Sequence, residues 1–170
     1  MEIVVVGAVF VDIKGYPEAQ FVPTGRNVGK VINVHGGVSR NVCEDIANVE
    51  LKPTYVSVVD DSQVSTEVIE KLKRHKVNTD YIVRDEDGLG TWLAIFNNDG
   101  EVAASISKRP NLLPIADIFD EKGDEIIKNC DSIVVEIDME APTLKKIFRL
   151  AEKYNKKVFA VVSNMLIAIE

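Results

Sequence analysis

Gly36-Gly37-Val38-Ser39-Arg40-Asn41, residues 36–41, carries the strongest structural signal in this chain. The stretch opens an amphipathic helix, and a strand leading into Gly7 and Asp12 lies upstream. Two adjacent glycines let a backbone come close to a ligand. Asn41 falls in the first helical turn, with an amide that can both donate and accept hydrogen bonds. This combination predicts a grip on a hydroxyl-rich small molecule.

Outward from that stretch, the chain alternates between strand and helix. The run 3–6 is continuously apolar, as expected of a strand covered on both faces. Residues 39–49 read as a helix whose apolar face is Val42, Ile46 and Val49, at i, i+4 and i+7. A strand over 55–59 and a helix over 65–75 follow, the helix with Val68, Ile69 and Leu72 on one side. Strands over 91–96 and 102–106 flank Asn97-Asn98-Asp99-Gly100, a hairpin signal. Beyond Pro114 come a helix over 118–128, a strand over 132–137, a helix with Pro142 in its first turn, and a strand over 157–162. Leu144, Ile147, Phe148 and Ala151 form the expected buried face of that last helix. Such alternation predicts an α/β fold with a mostly parallel sheet and helices on both faces. Gly15, Pro17, Pro23, Gly25 and Gly29 interrupt 13–35, leaving room for one exposed strand over 30–34. The segments 13–35 and 88–108 do not fit the parallel sheet and are assigned to a small β lid. The α/β core is then 1–12, 36–87 and 109–170.

Composition narrows the function. The 170 residues are 46% hydrophobic, enough for a real core, and carry a formal charge of −7. That balance argues against nucleic acid or an anionic membrane as partner. No apolar run approaches the ~20 residues that span a bilayer, and the N-terminus lacks the basic start of a signal peptide. Cys43 and Cys130 read as free thiols in or beside helices, and His35 and His75 have no neighbours at metal-ligand spacing. No metal site and a cytoplasmic location are expected. The chain ends in an apolar run over 165–170, so either a partner covers that end or the chain continues.

Asp12 follows the first strand by a few residues, near the C-terminal edge where open α/β sheets bind ligands. Its carboxylate can accept hydrogen bonds from vicinal hydroxyls. A solvated turn aspartate is an equally simple reading. Gly36 and Gly37 can likewise be a plain turn before a helix, and Lys108-Arg109 a solvated basic pair instead of a phosphate contact. Neither G-x-G-x-x-G after the first strand nor G-x-x-x-x-G-K-[ST] anywhere is present.

Taken together, Gly7 with Asp12, Gly36-Gly37-x-x-x-Asn41, Asp60-Asp61 and a β lid resemble the N-terminal part of ribokinase-like carbohydrate kinases of the phosphofructokinase-B type. Residues 9–15 with Gly-Gly-Val-x-Arg-Asn look most like the pseudouridine kinases among them. The resemblance implies a three-layer α/β sandwich, here truncated, with a β lid. It implies ATP-dependent phosphorylation of a sugar or nucleoside hydroxyl with Mg2+. Asp12, Gly36, Gly37, Asn41, Thr91 and Glu136 would then contact substrate: Asp12 and Glu136 at hydroxyls, Thr91 from the lid. In several members the lids pair between subunits, so a homodimer through the lid or an exposed sheet edge is implied. The family's Gly-Ala-Gly-Asp motif, which supplies the anion hole and catalytic aspartate, does not occur here. Most of the family's ATP site belongs to that missing half, so this chain alone is expected to be inactive. The alternative is a non-catalytic sugar- or nucleoside-binding regulator. Further departures are Val59 and Val64 for glycines near Asp60-Asp61, Glu50 and Lys76 for glycines ending two helices, and Ala160-Val161 for an Asp-Pro or Asn-Pro.

Overall fold

The structure is a computed structural model in which residues 1–162 are described; the apolar run over 165–170 lies outside them. In chain order the elements are β1 (Glu2–Val6), β2 (Phe10–Pro17), β3 (Gly29–Gly36), α1 (Val38–Asn48), β4 (Lys52–Val59), α2 (Gln63–Arg74) and β5 (Asn78–Arg84). Then follow β6 (Gly90–Phe96), β7 (Val102–Lys108), α3 (Pro114–Asn129), β8 (Ser132–Glu136), α4 (Ala141–Lys153) and β9 (Lys157–Val161).

β1 is the middle strand of a parallel sheet ordered β5-β4-β1-β8-β9. Its side chains alternate between two cores, as a strand's period of two requires. Val4 and Val6 join Val56, Val58, Ile133 and Val135 under α3 and α4, against Ile115, Phe119, Ile126 and Ile147. Ile3 and Val5 join Tyr55, Val59 and Val134 under α1 and α2, against Cys43, Val68 and Leu72. This is the α/β sandwich expected from the sequence.

A second sheet, ordered β3-β2-β6-β7, stands on the C-terminal side of β1. Its hairpin turns at Asn97, whose Oδ1 accepts from the backbone N–H groups of Asp99 and Glu101 at 3.0 and 2.9 Å. β2 was not anticipated, because Gly15 and Pro17 looked like breakers. It forms since β3 and β6 pair on its two sides, and its proline sits at the strand end, where a missing donor is tolerated. Asp12 therefore lies within the small sheet, two residues past its start, and not in a loop after β1. β5 was also missed. It is an edge strand with little apolar patterning, held by parallel pairing with β4.

Two apolar assignments change. Val49 is the C-cap of α1 and is exposed. Phe148 is 40% exposed, because the buried stripe of α4 is Thr143, Ile147 and Ala151 and Phe148 is turned about 100° from Ile147.

The helix ends explain the missing glycines. After α2, the N–H of Val77 bonds Leu72 O at 3.1 Å and that of Lys76 bonds Lys73 O at 2.9 Å. This is the Schellman closure, which needs a left-handed residue at the position Lys76 occupies. Lys76 adopts φ 64°, Glu50 after α1 φ 64°, and Asn155 after α4 φ 50°. Glu50 and Lys76 thus bear the strain that glycine would avoid. Replacing either with glycine should stabilise the fold by roughly 0.5–1 kcal/mol, net of glycine's greater unfolded-state freedom. Urea unfolding reads this directly, and an unchanged or lower midpoint would show that neither position is strained.

Candidate functional site

In the parallel sheet the chain leaves β1 for β4 and β5 on one side and returns to β8 and β9 on the other. The crevice between the C-terminal ends of β1 and β8 is therefore the topological switch point, where open α/β sheets bind ligands. A cavity of about 520 Å³ opens there. Its floor is Ala8, Glu136 and Asp138, past β1 and β8. One wall is the start of α1, with Gly37, Val38 and Asn41. The roof is the small sheet, with Phe10, Asp12, Trp92 and Ser107, and Arg109 and Glu140 stand at the rim.

Register decides which lid residues face the cavity. Asp12 pairs with Trp92, and Trp92 with Ser107, so the three form a row on one face. Thr91 pairs with Val11 and Lys108 and lies on the opposite face. Thr91 is consequently not brought to the cavity wall, whereas Trp92 is. Lys108 is directed to Asp87, 2.8 Å away. Arg109 does reach the cavity, and its Nη2 donates to Asp138 O at 3.0 Å.

The glycine pair is placed by close approach. A Cβ at Gly36 would collide with the Asp12 carboxylate, so Gly36 makes room for Asp12 and does not itself line the cavity. Gly37 is the N-cap of α1 at φ 95°, with no side chain capping the first turn, and a Cβ there would strike Ala8 O. Asp12 also carries an ion pair with Lys14 at 3.3 Å, and Lys14 stands over the Trp92 ring.

Glu136 is buried, and its Oε2 accepts from Ala8 N at 3.0 Å and from Ser39 Oγ at 2.7 Å. Ser39 lies 3.0 Å from the Tyr55 hydroxyl, which donates to Ala8 O at 2.9 Å. Burial pushes the Tyr55 phenol far up, keeping it a neutral hydrogen-bonding group. Ser39 and Tyr55 escaped the sequence reading. Nothing in a lone serine and a strand tyrosine announces that the two meet, or that the serine bonds a glutamate 97 residues away.

Asp60 and Asp61 lie outside this cavity. Asp60 Oδ1 accepts from Ser62 N at 3.0 Å, Ser62 Oγ at 2.5 Å and Ser65 Oγ at 2.6 Å, closing the start of α2. Asp61 is exposed and faces Arg84 at 3.6 Å.

Residues 1–167 match a family described as pfkB family carbohydrate kinase. The chain belongs to this family. The ribokinase-like resemblance is thereby shown, and the pfkB chain has sugar and nucleoside kinases among its relatives. It is 30% identical over 165 residues to the guanosine-inosine kinase of Exiguobacterium acetylicum, covering 96% of this chain and 54% of that protein. It is 24% identical over 151 residues to an uncharacterized sugar kinase of Escherichia coli K12, covering 88% of this chain and 42% of that one. The chain thus spans about half the length of the curated relatives it matches. Among solved structures, a carbohydrate kinase from Agrobacterium tumefaciens superposes with TM-score 0.80 at 16% identity, over 99% of this chain and 55% of that one. A ribokinase from Arabidopsis thaliana, solved with ribose and ATP, gives TM-score 0.76 at 15% identity, over 96% and 54%. These two likenesses concern the fold. No helix among the described residues is long and apolar enough to cross a membrane.

Asp60 gives the pfkB chain a defined acid response. Burial would raise its carboxyl, but the bonds from Ser62 and Ser65 outweigh that and hold it below its ordinary value of 3.8. The unfolded chain then binds this proton more tightly than the folded one. Its contribution to stability is complete above about pH 4 and is lost as pH falls through the lower folded value. Asp60→Asn should therefore be less stable than the parent at pH 7, with the gap narrowing towards pH 3. A gap that stays constant across that range would remove Asp60 as a source of acid sensitivity.

Proposed function

We propose that this chain is the substrate-binding part of an ATP-dependent kinase acting on a hydroxyl of a ribose-containing nucleoside or sugar. The observation that carries the reading is the meeting of Asp12 and Asn41 in one cavity at the switch point, under an aromatic roof. Asp12 accepts from hydroxyls. Asn41 offers an amide from the helix start, and Phe10 and Trp92 offer flat apolar surface of the kind a purine base covers. The relative named guanosine-inosine kinase supports a nucleoside over a bare sugar. Pseudouridine belongs on the same panel of substrates. Gly36 would act by admitting Asp12, Gly37 by its backbone and Glu136 as part of the cavity floor, while Thr91, on the opposite face of the lid sheet, takes no direct part.

The residues present do not make a phosphoryl-transfer site. No Gly-Ala-Gly-Asp occurs in the chain, and no group of three or more His, Cys, Asp or Glu suited to a metal occurs among the described residues. The chain's own residues orient a hydroxyl and, by closing the small sheet over it, exclude water that would compete as phosphoryl acceptor. A regulator that binds without catalysis uses the same cavity and differs only in what completes the protein.

Titration calorimetry with inosine, guanosine, pseudouridine and ribose tests this reading. Inosine should bind, with Asp12→Ala weakening it ~100-fold and Asn41→Ala ~10-fold. Trp92→Ala should weaken nucleosides ~10-fold while leaving ribose within ~2-fold. Wild-type affinity in Asp12→Ala would refute the site. With ATP and Mg2+ added, the chain alone should form no phosphorylated product. A product that disappears in Asp12→Ala would refute the division of labour.

We also propose that two copies associate through the outer face of the small sheet. Val31, Leu93, Ile95 and Ile106 share that face by register and are all exposed, Val31 by 69% and Ile106 by 72%. Sedimentation at tens of micromolar should give a dimer, and Ile106→Lys a monomer. A monomeric parent chain would dismiss this interface.

A further inference from the structure

Arg40 is a buried cation one residue before the cavity residue Asn41. It is 4% exposed. Its guanidinium makes four hydrogen bonds. Nε donates to Gly36 O at 3.0 Å and Nη2 to His35 O at 3.2 Å. Nη2 also donates to Asn41 Oδ1, and Nη1 pairs with Glu44 Oε2. Glu44 in turn holds Lys71 at 2.8 Å and stands 3.7 Å from His75 Nε2. Burial would raise the Glu44 carboxyl, but its bonds to Lys71 and Arg40 keep it below the usual range, so the pair stays charged.

Arginine only donates. The Asn41 atom that meets Arg40 must therefore be the amide oxygen, which fixes an orientation that an isolated asparagine leaves open. Nδ2 is then the branch left for the cavity that Asn41 lines. We propose that Arg40 is a positioning residue: it locks Asn41 as a hydrogen-bond donor and clamps the Gly36 carbonyl, setting the polarity of the sugar subsite. Asp12, across the cavity, only accepts when ionised. The two side chains make opposite demands, one for a proton and one for a lone pair. A hydroxyl, or two neighbouring hydroxyls, satisfies both; an ether oxygen or an ammonium group satisfies one.

The ligand arm of the test rests on the nucleoside reading of the site, and the spectroscopic arm does not. In the ligand-free 170-residue chain, 15N relaxation of the Asn41 side-chain amide should report a held group, and Arg40→Met should set it moving. Equal rigidity in both proteins overturns the proposal. With inosine as probe, Arg40→Met should weaken binding ~10-fold in the parent background but less than ~2-fold in Asn41→Ala, because Arg40 acts through Asn41. Equal losses in both backgrounds overturn it too. Lys71 still pairs with Glu44 in Arg40→Met, which favours folding. Should that variant unfold, Arg40→Lys takes its place. Lysine can hold Glu44 but lacks the planar fork that spans Gly36 O and Asn41 Oδ1, so it should fail to restore either readout. If the parent chain does not bind inosine, the nucleoside reading falls and the relaxation arm alone decides the role of Arg40.

Discussion

The Glu136 carboxylate ties the molecule together at the point where its topology divides. A buried carboxylate without donors costs several kcal/mol, so Glu136 must be met by protons wherever it is placed. Here the donors are Ala8 N, past the end of β1, and Ser39 Oγ, in the first turn of α1. One oxygen atom thus joins β8, the β1 exit and the helix that presents Asn41. Bonds to a charged acceptor contribute roughly 1.5–3 kcal/mol each. The cavity floor is consequently stiff, and the spacing between Asn41 and the strand ends is set before any ligand arrives. Glu136 secures the cavity's shape whether or not it also touches a ligand.

The roof obeys a different constraint. In a strand a shift of one residue moves a side chain to the other face. β2, β6 and β7 are locked in register, so Asp12, Trp92 and Ser107 are selected together and Val11, Thr91 and Lys108 are excluded together. The same alternation that places an acid and an indole over the cavity places Val31, Leu93, Ile95 and Ile106 on the outside. The cavity-facing row and the exposed apolar face are two sides of one pleat.

This explains what was legible beforehand. β1 and the pairing of helices with strands could be read because buried parallel strands are continuous apolar runs and their helices keep a 3.6 period. Asp12, Gly37 and Asn41, which line one cavity, stood out as a carboxylate after a strand and a glycine pair and amide at a helix start. β2 could not be read, since Gly15 and Pro17 obey local rules that two flanking strands override. The sequence points to Thr91 and does not reveal Trp92, because register cannot be fixed without knowing where the lid strands pair. Arg40 was invisible for another reason. A charged residue on a helix usually faces solvent, and only the fold turns this one inward towards two carbonyls, an amide and Glu44.

The charged groups lining the cavity are mainly acids. Asp12, Glu136, Asp138 and Glu140 line it, with Arg109 at the rim. Carboxylates suit a ligand that offers hydroxyl protons and oppose one that brings several phosphate charges. Transfer of a phosphoryl group needs positive or dipolar stabilisation where charge develops, within reach of the hydroxyl. On the Asp138–Glu140 side the carboxylates oppose an incoming phosphate. The positive influences beside the cavity are Arg109 and the start of α1, which no side chain caps. The cavity of the pfkB chain is thus predominantly acidic, a lining that favours hydroxyl protons over phosphate charge.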